Sequence, residues 1–125
     1  VTQHLAVPVI TVSVVLHFDF RGKWRKIHRK FNMPTKPAKY EHLNFGKDKI
    51  RLQVTAVDHF MQDGGLAETV VVCDTNVHDV VLICREYQDW KECKPFPEED
   101  LEKLAQLIHS SHRVVKRRPV SATDD

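Results

Sequence analysis

The stretch Val9–Phe20, VITVSVVLHFDF, limits the possible folds more than any other part of the chain. Ile10, Val12, Val14, Leu16, Phe18 and Phe20 fall on every second position. Thr11, Ser13, His17 and Asp19 fall between them, and Val15 alone breaks the pattern. Alternation of this length describes a strand with one buried face. The remaining segments must therefore cover six apolar side chains on one side of a single ribbon. At 125 residues the chain has the length of one domain, long enough to bury such a core without staples. We expect residues 1–112 to form that single domain and residues 113–125, first basic and then acidic, to form a flexible tail.

Turn residues divide the rest. Thr2–Pro8 is a lead-in, and Arg21–Gly22 ends the first strand. In Lys23–Phe31, Trp24, Ile27, His28 and Phe31 follow the i, i+3, i+4, i+7 spacing of one helix face, which predicts a short helix. A basic strand paired with the first through the Arg21–Gly22 turn is the alternative. Pro34 and Pro37 make Asn32–Lys39 a loop. Tyr40–Phe45 and Lys49–Val57 read as strands joined by the turn Gly46-Lys47-Asp48, and Asp58–Gly65 reads as a loop. Glu68–Asp74 and Asp79–Tyr87 are short β-branched runs and predict a hairpin of central strands. Pro97 followed by Glu98-Glu99-Asp100 opens a helix, because proline lacks the N–H that a first turn leaves unpaired and acids complement the positive helix end. Its stripe of Leu101, Leu104, Ala105, Leu107 and Ile108 is expected to cover the sheet, and the helix to end near His112. The fold class is therefore α+β: four to six mainly antiparallel strands packed against a C-terminal helix.

Charge is divided along the chain. Up to Gln62 there are 11 Lys and Arg against four acids; from Asp63 onward there are eight against 13. Arg21, Lys23, Arg25, Lys26, Arg29, Lys30, Lys36 and Lys39 occur with no acid between Phe20 and Tyr40, and Trp24 and Phe31 are interleaved with them. Such a surface attracts carboxylates or phosphates. The acidic second half is expected to face a basic partner or the domain's own basic side.

The segment GKWRKIHRKF resembles the basic, aromatic second strand of pleckstrin-homology domains. That resemblance implies an alternative fold, a sheet closed into a barrel and capped by one C-terminal helix. Two features depart from it: the clear strands are too few for such a barrel, and the tryptophans are elsewhere. The closing helix of that family usually carries a tryptophan, whereas Trp24 lies in the basic segment and Trp90 precedes the helix.

Motifs for catalysis are missing from the sequence. Gly64-Gly65 is not followed by the GK[ST] of a phosphate loop, and no GxGxxG or GxSxG occurs. His109 and His112 lie three apart on a helix face, but no HExxH accompanies them and no third ligand is fixed, so no metal or cofactor is assigned. Cys73, Cys84 and Cys93 cannot all pair with one another and match no zinc spacing. Reduced thiols, the lack of a secretory signal pattern and the lack of an apolar run of about 18 residues place the expectation in the cytoplasm or nucleus. Arg117-Arg118-Pro119-Val120-Ser121 resembles a basophilic kinase site, with Ser121 as acceptor.

These readings converge on a non-catalytic interaction domain of a larger intracellular protein, whose basic 21–39 surface meets an acidic protein partner. The alternative is a phosphate-binding module for nucleic acid or for an anionic phosphoinositide membrane. A long polyanion would be repelled by the acidic second half, which favours the protein partner.

Overall fold

The computed structural model describes residues 9–47, 49–61, 63 and 67–117, with the backbone alone for residues 67 and 110–117. The lead-in Thr2–Pro8, Asp48, the Gly64–Gly65 pair and Ser121 lie outside the described residues. The elements in order are β1 (Ile10–Phe20), β2 (Lys23–Met33), β3 (His42–Phe45), β4 (Ile50–Met61), β5 (Ala67–Asn76), α1 (Val77–Glu86), β6 (Lys91–Glu92) and α2 (Glu98–Arg117). The strands form one sheet in the order β3-β4-β5-β1-β2-β6. Among the described strands only the β1–β5 pair is parallel. The fold is thus α+β and mainly antiparallel with a C-terminal helix, and the sheet does not close into the barrel that the pleckstrin-homology resemblance implies.

β1 is a central strand, flanked by β2 and β5. Val12, Val14, Leu16 and Phe18 are wholly buried, as the alternation requires, and Ser13 and Val15 on the other face are also covered by their neighbours. Burying four such side chains contributes roughly 1.5–3 kcal/mol each before entropy is counted.

Residues 23–31 are a strand and not the helix their spacing predicts. The turn decides this. Arg21 and Gly22 both take positive φ, 57° and 85°, and the Gly22 N–H donates to Asp19 Oδ1 at 3.1 Å. A two-residue turn of that hand matches the twist of a hairpin and fixes its register. It sets Ile27 beside Leu16 and Phe31 beside Val12. Long-range pairing along eleven residues outweighs one local helical repeat.

The expected strand Asp79–Tyr87 is also overturned, because residues 77–86 form α1. Asn76 caps it, its Oδ1 accepting the Asp79 N–H at 2.9 Å. Val77, Val80, Val81 and Cys84 then follow helical spacing, and Val80, Val81 and Ile83 enter the core. Tertiary packing overrides the β-branched propensity. Strand β4 also continues four residues past Val57 to Met61, into the predicted loop.

α1 lies against β1 and β5, and α2 packs mainly on α1. The α2 stripe is accordingly narrower than expected. Leu104 is buried and Ile108 half-buried, whereas Leu101, Ala105 and Leu107 are exposed. The helix runs to Arg117, past the expected end at His112. Both helices cover the face that carries the even-numbered β1 residues, and no element among the described residues lies on the opposite face. The covered face is concave. Three strands separate β2 from β3, yet the Phe31 ring lies 6.0 Å from that of Phe45 and 5.3 Å from Tyr87. At the β3–β4 turn the Gly46 N–H donates to Tyr87 Oη at 3.0 Å, and a Cβ there would approach the Glu86 side chain to 2.9 Å. Glycine is required there by close approach as well as by its φ of 62°.

Asn76→Ala is expected to lower stability by about 1 kcal/mol in urea unfolding followed by circular dichroism, as loss of an N-cap does. An unchanged midpoint would contradict the capping role.

Candidate functional site: the β2–β6 edge

Strand pairing divides the basic segment between two faces. Cross-strand partners share a face of a sheet. Lys23, Arg25, Ile27, Arg29, Phe31 and Met33 stand opposite Phe20, Phe18, Leu16, Val14, Val12 and Ile10, so they belong to the helix-covered face. Trp24, Lys26, His28, Lys30 and Asn32 belong to the open one. A helix would have shown all the cations on one side; the strand places Lys23, Arg25 and Arg29 on one face and Lys26 and Lys30 on the other.

The arginines are engaged within the domain. Arg25 Nη2 donates to Asp100 Oδ2 at 2.7 Å, and Arg21 Nη1 donates to Asp100 Oδ1 at 3.0 Å. Arg21 Nη2 also reaches Glu99 Oε2 at 3.2 Å. Asp100 is only 9% exposed, so the contact with Arg25, whose side chain is 16% exposed, is a largely desolvated, charge-assisted bond. Arg25 also sits 5.2 Å over the Phe96 ring. Arg29 Nε donates to the Gln88 carbonyl at 2.6 Å, and its guanidinium stacks 4.5 Å from Phe31 and 5.6 Å from Tyr87. Flat, weakly hydrated guanidinium groups suit these apolar surroundings. The acidic second half thus meets the domain's own basic side at α2.

The lysines are displayed outward. Lys26 and Lys30 are exposed on the open face, and β6 pairing sets Lys91 beside His28 on the same face. Two-residue steps along a strand place Lys26 and Lys30 roughly 13 Å apart, with Lys91 beside the midpoint. Among the described residues, none of these three has an ion-pair partner. Lys23 stands exposed at the hairpin end of β2. Lys36 and Lys39 lie beyond the opposite end of β2, in the Pro34–Glu41 connection, with Lys39 Nζ 5.0 Å from the Tyr40 ring. An eleven-residue strand spans roughly 33 Å, so these two do not join the others in one site. Lys91 and Lys94 were not among the sequence candidates, since only the β2–β6 pairing brings them there.

Three acids on the open face make hydrogen bonds, and a fourth, Asp58, stands exposed there opposite Val70. Asp19 accepts from the Gly22 N–H, Asp74 Oδ1 lies 3.0 Å from His17 Nδ1, and Glu68 Oε2 accepts from the Ser13 hydroxyl at 2.9 Å. Lys26, Lys30 and Lys91 are thus a local row of like charge on this face.

A cavity opens at the hairpin end of the row. β6 accompanies β2 over only two residues, and the Cys93 N–H makes a last bond to the Lys26 carbonyl at 3.0 Å. The chain then diverges toward α2. The gap, of about 310 Å³, is lined by His17, Trp24, Arg25, Lys26, Lys94 and Phe96, with Cys93 beside them. Among the described residues no carboxylate lines it. Trp24 is 60% exposed, and its ring lies 4.6 Å from that of His17.

A larger cleft of about 650 Å³ lies at the seam between the ends of β2 and β3, walled by Phe31, Met33, Pro34, Leu43, Phe45 and Tyr87. Polar groups beside it serve the local chain: Glu41 Oε1 accepts the Ala38 N–H at 2.7 Å, and Arg51 lies 3.3 Å from His42 Nδ1. No group of three or more His, Cys, Asp or Glu among the described residues is arranged to hold a metal ion, and no helix among them is long and apolar enough to cross a membrane. Compared with protein-family models, with curated proteins and with solved structures, the chain matches none.

Burial separates the three thiols. It pushes Cys73, with a further push from Asp74, and Cys84 up to about 12. Cys93 is also raised by burial, but Lys26 pulls it back, and it is the exposed one of the three. Only the thiolate is a nucleophile. N-ethylmaleimide at pH 8 is expected to label Cys93 first in the folded protein, and Cys73 and Cys84 only on unfolding, as mapped by peptide mass spectrometry. Labelling of Cys84 at the rate of Cys93 would contradict this packing.

Proposed function

We propose that the chain is a non-catalytic interaction module whose β2–β6 edge engages an acidic segment of a partner protein. The observation that carries this reading is the separation of the cations. The arginines are neutralised or stacked inside the domain, while Lys26, Lys30 and Lys91 stand on the other sheet face with no ion-pair partner among the described residues, the exposed Asp89 lying in the hollow that Lys30 and Lys91 line. A lysine row of this kind supplies orientation and association rate to an acidic partner. Lysine also protects sheet edges from pairing, and such protection needs no ligand. A row of three lysines with an exposed Trp24 at its Lys26 end favours a binding surface.

A protein partner fits better than a nucleic acid or a phosphoinositide membrane. The row is short, and the same face carries Asp19, Asp74 and Glu68 on the neighbouring strands. The exposed Glu98, Glu99 and Glu102 stand on α2, just past the cavity. A long polyanion or a charged lipid plane crossing the edge would meet these acids, whereas a short acidic segment can follow the lysines alone.

The test is fluorescence anisotropy at low salt, where such attraction is strongest. A labelled acidic peptide is titrated against the intact chain and against Lys26→Glu/Lys30→Glu/Lys91→Glu. The triple reversal is expected to weaken binding at least about tenfold, a loss of about 1.4 kcal/mol, with an unchanged circular dichroism spectrum. Equal binding by both proteins would overturn the reading. Tighter binding of single-stranded oligonucleotide or phosphoinositide vesicles than of the peptide would replace it with the phosphate-binding alternative.

A further inference from the structure

We propose that the cavity lined by Trp24, Lys26 and Lys94 receives an aryl phosphate, the phosphotyrosine side chain of the acidic partner. The proposal rests on the reading of the β2–β6 edge as the surface that meets that partner, and it names the group that fills the hole at the end of the row.

Two features are joined in this cavity. One is an aromatic shelf. The Trp24 ring is 60% exposed and is backed by His17 at 4.6 Å, and His17 is held in turn by Asp74 at 3.0 Å. The His17 contact restrains the ring on one side and leaves the rest of it exposed for stacking. The other feature is charge. Arg25 is committed to Asp100 at 2.7 Å, which leaves Lys26 and Lys94 as the cations that face the gap. Two lysines match a phosphate ester, which carries a charge of about −1.5 to −2 at pH 7, better than they match a single carboxylate. Among the described residues no carboxylate of the lining opposes a dianion.

Each simpler ligand satisfies half of the site. Phosphoserine or inorganic phosphate reaches the lysines and leaves the indole bare. Unmodified tyrosine covers the indole and leaves two cations unpaired. A ring that carries its own phosphate meets both. The acids of the surrounding surface, Glu98, Glu99, Glu102 and Asp19, select one isolated phosphate over a strand of many.

The experiment compares three versions of one acidic peptide on the intact chain: with phosphotyrosine, with tyrosine, and with phosphoserine at the same position. A single-stranded oligonucleotide is the fourth arm. Binding is followed through the two tryptophan indole N–H signals in nitrogen-15 correlation spectra. The phosphotyrosine peptide is expected to bind at least about tenfold tighter than either other peptide and to move the Trp24 signal, while the Trp90 signal stays in place. Trp24→Ala is expected to abolish the preference for phosphotyrosine over phosphoserine, and Lys94→Glu the preference for phosphotyrosine over tyrosine. Otherwise unchanged spectra establish that both variants remain folded. Equal affinity for the phosphotyrosine and tyrosine peptides would overturn the proposal and leave the acidic-partner reading standing if both still depend on Lys26, Lys30 and Lys91. Tighter binding of the oligonucleotide, with movement of the Trp24 signal, would overturn both.

Discussion

One carboxylate determines how this domain presents its charge. Asp100, in the first turn of α2, accepts bonds from both Arg21 and Arg25. Those arginines belong to the turn and to the strand of the first hairpin, so a single side chain fixes the C-terminal helix to the start of the sheet. The position suits an acid twice over, since it lies at the positive end of a helix and opposite two guanidinium groups. It is also nearly buried, and Arg25 Nε is buried without a hydrogen-bond partner. Removal of Asp100 would leave a desolvated cation whose remaining donors have no acceptor, which costs far more than loss of a surface ion pair.

The same clamp explains why a segment rich in cations is not a uniformly cationic surface. A strand sends alternate residues to opposite faces. In β2 the alternation places Arg25 and Arg29 on the helix side, over Phe96, Phe31 and Tyr87, and Lys26 and Lys30 on the other. Arginine tolerates the half-apolar side because its flat group stacks and bonds at once; lysine, a compact and strongly hydrated charge, remains in water. The proposed interaction surface is what remains once the arginines are subtracted, with Lys91 and Lys94 added by the short β6 pairing.

Much of the sheet is legible in the sequence. β1 is, because its period-two pattern is long and one-sided, and β4 and β5 show the same β-branched runs bounded by polar residues. β2 is not, because two periodicities coexist in it. Trp24, Ile27, His28 and Phe31 satisfy a helical repeat, while the strand reading requires arginines on the buried side, which hydrophobic patterning scores as polar. The deciding fact is the Arg21–Gly22 turn, whose positive φ values act through pairing eleven residues long. α1 is obscured in the opposite sense. Its valines and isoleucine suggest a strand, although Asn76 three residues before Asp79 and the spacing of Val77, Val80, Val81 and Cys84 carry the helix signal. The candidate site is legible as composition alone. Its cations can be listed from residues 21–39, but their fate depends on Asp100, more than seventy residues away, and on Lys91 and Lys94 from an edge strand two residues long. No local pattern encodes those contacts.

Arg25 and Asp100 form one coupled unit that holds α2 to the hairpin. A double-mutant cycle measures it directly, with Arg25→Ala, Asp100→Ala and the pair compared by urea unfolding. The predicted result is a coupling energy of at least about 1 kcal/mol, the double variant being less destabilised than the sum of the singles. A coupling below about 0.3 kcal/mol, the level of independent sites, would contradict the account.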